Sequence, residues 1–107
     1  MIVRLKNSDD RAADLALATP YVVIGIEADD YRLLNDQGRP YLYPAELFEV
    51  IDAKEPEDWV VERGDDSERY AYPPDLAPAG FFEDFFDARK EAVATFWRVV
   101  NRRLAAA

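Results

Sequence analysis

A chain of 107 residues with thirteen Lys and Arg against twenty-two Asp and Glu has a net charge of −9, and it contains neither histidine nor cysteine. Its length fits one domain, large enough to bury a core without metal or disulfide staples. Counting alone removes disulfides, thiolate nucleophiles, histidine general bases and the common zinc sites, so no metal and no cofactor are expected.

Residues 1–6 are too short and too charged for a secretory signal, and no stretch approaches the apolar length of a membrane span. A cytoplasmic protein is expected. Ile2-Val3-Arg4-Leu5 reads as a first strand with Val3 and Leu5 on one face. Residues 7–10 turn, and Asp9 or Asp10 is placed to cap one helical turn through Ala12, Ala13 and Leu15. Thr19-Pro20 forces extended backbone into the next segment. Residues 21–26, Tyr-Val-Val-Ile-Gly-Ile, are apolar on both alternating faces, as a central strand covered on both sides should be. Gly25 inside it marks a bend or bulge where another part of the chain comes close. Residues 31–34 and 41–43 flank Asn35-Asp36-Gln37-Gly38 and read as a hairpin, with Pro40 at the strand entrance because it cannot donate to a ladder. Pro44-Ala45-Glu46-Leu47 reads as a single helical turn, after which Phe48-Glu49-Val50-Ile51 resumes strand character.

A strand, a turn of helix begun by proline and a closing strand, as in Tyr43-Pro44-Ala45-Glu46-Leu47-Phe48-Glu49-Val50, resemble a Src-homology-3-like small barrel. The resemblance covers the first half of the chain, residues 1–52, and is topological. The acidic and aromatic residues with which signalling members of that family grip proline-rich peptides are not recognisable here, so it implies no peptide binding.

Residues 53–58 read as a charged loop, Trp59-Val60-Val61-Glu62 as a strand, Gly64-Asp65-Asp66-Ser67 as a turn, and Arg69-Tyr70-Ala71-Tyr72 as its return. This second hairpin, within residues 59–76, repeats the first: Tyr41-Leu42-Tyr43-Pro44-Ala45-Glu46-Leu47 and Tyr70-Ala71-Tyr72-Pro73-Pro74-Asp75-Leu76 share the pattern Tyr-x-Tyr-Pro-x-acid-Leu. Tyr41/Tyr43 and Tyr70/Tyr72 then form two same-face pairs that are either core or a shared aromatic surface. Pro73, Pro74 and Pro78 end the β part. Residues 81–104 carry a helical stripe of Phe82, Phe85, Phe86, Val93, Phe96, Trp97, Val100 and Leu104. Acids in the first turns and Arg98, Arg102 and Arg103 in the last complement the helix dipole. Unbroken, this helix would be ~36 Å long, so it either breaks near Asp87-Ala88 or protrudes to meet another chain.

The charge is unevenly spread. Residues 27–87 hold eighteen acidic against five basic side chains, and residues 88–107 hold one against five. Such a field repels nucleic acid and anionic membrane and draws a basic protein toward the middle of the chain. The candidate partner-binding face combines Asp29, Asp30, Asp36, Glu46, Asp65, Asp66 and Glu68 with Tyr41, Tyr43, Tyr70 and Tyr72; Tyr31 and Trp59 belong to the same aromatic set. Rings supply rigid contact area and carboxylates pair with Arg and Lys. The competing reading is that the rings are core and the acids decorate loops. Catalysis is not expected. Adjacent acids in turns point apart rather than converge, no phosphate-binding glycine loop exists among four glycines, and four Ser and Thr have only Lys6, Lys54 and Lys90 as potential bases.

The fold expected is α+β within a single domain: a bent antiparallel sheet or small open barrel with the C-terminal helix packed on it. In size, acidity and lack of catalytic side chains the chain is similar to bacterial toxin-immunity proteins. That similarity implies a non-enzymatic inhibitor occluding the cationic site of a basic toxin, with a nuclease as the leading case, and it transfers no site residues. The alternative is a structural or adaptor module that forms a homodimer, or docks, through its C-terminal helix.

Overall fold

A computed structural model describes residues 1–106. Seven strands, β1 (Ile2–Leu5), β2 (Tyr21–Glu27), β3 (Asp30–Leu34), β4 (Pro40–Pro44), β5 (Phe48–Asp52), β6 (Val60–Arg63) and β7 (Arg69–Tyr72), precede two helices, α1 (Phe81–Phe86) and α2 (Lys90–Ala106). Single 3-10 turns occupy Asp10–Ala12, Ala45–Leu47 and Pro74–Leu76. The first is capped by Asp9, whose Oδ1 accepts the Arg11 N–H at 2.9 Å, as an N-cap acid should.

The class is α+β, with every strand pair antiparallel and the sheet open rather than closed into a barrel. β2 joins its parts. One edge of it pairs with β3, which pairs with β4. Along the other edge its first residues pair with β1 and its last with β7, Tyr21 opposite Val3 and Ile26 opposite Ala71. β5 extends the sheet beyond β1, and β6 pairs with β7.

The register of β2 against β3 slips between Val23 and Gly25. This bulge sends Val23 and Ile26 into one apolar cluster and Ile24 into another. The inner core gathers Val3, Leu5, Val23, Leu33, Tyr43, Phe48 and Ala71 between the arms of the bent sheet. The outer core joins Ile24, Tyr72 and Leu76 to Phe82, Phe85, Phe96, Val99 and Val100 of the helices. Apolar residues on both sides of β2 therefore mean two interiors sharing one strand. Gly25 lies under the Tyr72 ring, where an added Cβ would stand 2.2 Å from two ring carbons.

The helical stripe breaks at Asp87-Ala88, one of the two outcomes its length allows. α1 ends in a Schellman arrangement: Ala88 N–H donates to Phe85 O and Arg89 N–H to Asp84 O, both at 3.0 Å, with Ala88 at φ +59°. α2 then starts afresh and lays Ala92, Phe96, Val99 and Val100 on the sheet. Phe86 and Leu104, at either end of the expected stripe, are each 43 % exposed.

Candidate functional site

The turns set the geometry of the acidic face. The β2–β3 turn is short, and Ala28 N–H donates to Arg69 O while Ala45 N–H donates to Asp29 O, both at 2.8 Å. These bonds place the β2–β3 turn between the start of β7 and the 3-10 turn after β4. Because β7 runs antiparallel to β2, the β6–β7 turn lies beyond the same end of the sheet. Asp29, Asp30, Glu46, Asp65, Asp66, Glu68 and Tyr70 are thus brought to one end of the molecule. Glu68 folds back over its own turn, Oε2 accepting the Asp66 N–H at 2.9 Å. Partial burial, then the carboxylates of Glu68, Glu27 and Asp65, hold the Tyr70 phenol above its ordinary pKa.

Other candidates fall elsewhere. Asp36 lies in the loop at the opposite end of the β3–β4 hairpin, where its Oδ1 accepts from the Tyr21 hydroxyl at 2.7 Å. Tyr41, 41 % exposed, stacks obliquely on Phe86 with ring centroids 5.8 Å apart. Tyr43 and Tyr72 are 3 % and 7 % exposed and present no surface to a partner. Each tyrosine pair is therefore divided, the second ring in the core and the first outside it. Trp59 is also buried.

Six of the eighteen central acids are neutralised in ion pairs: Glu27, Glu46, Glu49, Glu55, Asp58 and Asp75. Two of these pairs use the last helix, through Arg98 and Arg103. Hydrogen bonds from Arg69 hold the Glu55 carboxyl below its ordinary value. Of the twelve acids left, Asp29, Asp30, Glu62, Asp65, Asp66 and Glu68 belong to the turn-rich end, with Arg63 among them. The acidic surface is half gathered, and most of the C-terminal arginines' neutralising effect falls outside it.

Two polar clusters escape a reading of the sequence. Arg32, 6 % exposed, donates from Nε to the Tyr72 hydroxyl at 2.7 Å, from Nη1 to Pro40 O at 2.7 Å and from Nη2 to Glu27 Oε2 at 2.6 Å. Its guanidinium carbon lies 3.8 Å from the centre of the Phe82 ring, a cation–π contact that fastens α1 to the sheet. At the other face Asp14 Oδ2 accepts from Tyr43 OH at 2.7 Å and from Asn35 Nδ2 at 2.9 Å. Both clusters are internally satisfied; among the described residues no buried side-chain polar atom lacks a partner. They hold structure together and face no cleft.

Among the described residues no three Asp or Glu side chains converge as a metal ligand set, and no helix is long and apolar enough to cross a membrane. Compared with protein-family models, curated proteins and solved structures, the chain gives no match in any of the three.

Proposed function

We propose that this chain is a small, non-catalytic acidic binding protein of the immunity type, which occludes the cationic site of a basic toxin, a nuclease being the leading case. The observation that carries this reading is the gathering of Asp29, Asp30, Asp65, Asp66 and Glu68 at one end of the sheet, where the β2–β3 turn is bonded to the start of β7. A cleft that receives a phosphate backbone is cationic, and a rigid carboxylate surface mimics its polyanionic ligand. β-Turns tied to one another by backbone bonds hold those charges in place at little further entropic cost. The likeness in type to a Src-homology-3-like barrel draws support from the same region: a 3-10 turn follows Pro44, and β5 then returns to pair with β1.

The test is recovery of partners at low salt, followed by association kinetics. A basic protein, toxic when expressed alone, should bind at a rate that falls steeply between low and high ionic strength. Charge reversal at Asp65 and Asp66 should slow association without destabilising the fold. Binding indifferent to salt would sink the reading.

The second reading, an adaptor that dimerises or docks through its last helix, draws on the exposed Leu104. Phe96 and Val100 are core residues, so Leu104→Glu is the informative change rather than removal of the helix. A dimer lost on that substitution in sedimentation would favour the adaptor.

A further inference from the structure

Between the start of β2 and the second half of α2 the two cores do not close on each other. The gap is a cavity of about 400 Å³, within the range of small-molecule sites. Val22 and Ile24 line its sheet side, Val99, Val100 and Leu104 its helix side, and the Trp59 indole its loop side. None of the carboxylates gathered at the acidic end of the sheet lines it.

Four charged side chains also border it: Asp52, Lys54, Glu55 and Arg103. Their commitments differ. Glu55 is bound by Arg69, and Asp52 Oδ1 already accepts the Lys54 backbone N–H at 2.9 Å. Arg103 reaches Asp58 through Nη2, leaving other guanidinium donors free. Lys54 makes no ion pair among the described residues. In a protein of net charge −9, Lys54 and the free donors of Arg103 place cationic hydrogen-bonding capacity beside this apolar cavity, next to the Asp52 carboxylate.

We propose that this cavity binds a small amphiphile, an aromatic or branched apolar body with a single anionic head group. The body lies between Ile24, Trp59 and Val100, and the head group meets the Lys54 ammonium and the free donors of Arg103. Apolar contact supplies most of the affinity and the two cations select the head group. Such a ligand bridges β2 and α2 and stabilises the fold by mass action.

Two probes with one apolar body separate these contributions: 1-anilinonaphthalene-8-sulfonate, and the neutral N-phenyl-1-naphthylamine that lacks the sulfonate. In a Trp97→Phe background the remaining indole is Trp59, and its quenching by the bound naphthalene reports occupancy. The expected result is saturable one-to-one binding of both probes, with the sulfonate preferred. Lys54→Gln should weaken the sulfonate by about fivefold to tenfold and leave the neutral probe unchanged. Leu104→Phe, which fills the helix side from an exposed position without adding an indole, should weaken both. Absence of saturable Trp59 quenching overturns the site. Equal affinity for the two probes, or a sulfonate affinity untouched by Lys54→Gln, overturns the anionic ligand class.

Discussion

Hairpin β3–β4 carries Tyr43 into the inner core, where its hydroxyl donates to Asp14. Hairpin β6–β7 carries Tyr72 into the outer core, where its hydroxyl donates to Glu27 and accepts from Arg32. Both end in Tyr-x-Tyr-Pro and run into a 3-10 turn whose leucine is buried, Leu47 in one and Leu76 in the other. The strand that joins the sheet differs: β3 is the first strand of its hairpin and β7 the second of its own, and both pair with β2. One local pattern thus serves opposite faces of one strand, and the buried tyrosine takes whichever carboxylate that face offers.

Arg32→Ala should give the largest effect, because it removes a buried cation that four groups share and leaves Glu27 without its partner. A loss of about 3–5 kcal/mol is expected in denaturant unfolding, well above the ~1–3 kcal/mol for Asp14→Ala on the opposite face. A larger effect for Asp14→Ala would reverse the ranking of the two hairpins. Truncating the equivalent leucines comes next. Leu76→Ala, at a side chain 1 % exposed, should cost more than Leu47→Ala, at 8 %, both within roughly 2–5 kcal/mol. Equal costs would mean that the two 3-10 turns are energetically interchangeable.

The tyrosines give a smaller effect with a pH signature. Burial is the first cause that holds both the Tyr43 and the Tyr72 phenols above the ordinary value of 10.0; hydrogen bonding to Asp14 and Glu27 acts the same way, while Arg32 partly opposes it at Tyr72. The folded chain therefore keeps two protons that the unfolded chain releases near pH 10. Their stabilising contribution is complete below that pH and falls as pH rises through the folded values. Spectrophotometric titration should show these two phenols ionising only with loss of structure. Tyr72→Phe and Tyr43→Phe should each cost about 1–2 kcal/mol and each remove one late-titrating phenol. Ionisation of all six tyrosines near pH 10 in the folded chain would refute this account. The smallest effect is a gain. Ala88 occupies the left-handed position of the break between α1 and α2 at φ +59°, where glycine carries no Cβ penalty, so Ala88→Gly should stabilise by about 1 kcal/mol.

The strands were legible because their signals are local. Alternating apolar residues, Asn35 to Gly38 between two of them, and Pro40 and Pro44 at strand ends each act within a few residues. The repeated Tyr-x-Tyr-Pro was legible as a pattern, but its split between core and surface was not: the covered rings meet distant partners, Asp14 at Tyr43 and Phe82 of α1 at Tyr72. The burial of Arg32 was not legible because a lone arginine in a strand reads as solvent-facing, and nothing near it signals that Phe82 will cover it. Length left the helix two outcomes, a break near Asp87-Ala88 or a protruding end; the break formed, yet no glycine marked the place. Of the binding face, the acids in turns were legible. The apolar cavity was not, since its walls come from β2 and α2, nearly eighty residues apart.

The bulge at Ile24 leaves neither interior a boundary of its own. Peeling the helices away would wet one side of β2 while the other side still depended on that strand being held straight, so the halves have no independent way to come apart. Amide protons in β3 and in the middle of α2 should then exchange with solvent through one shared opening event, and thermal melting followed by either indole should trace a single curve.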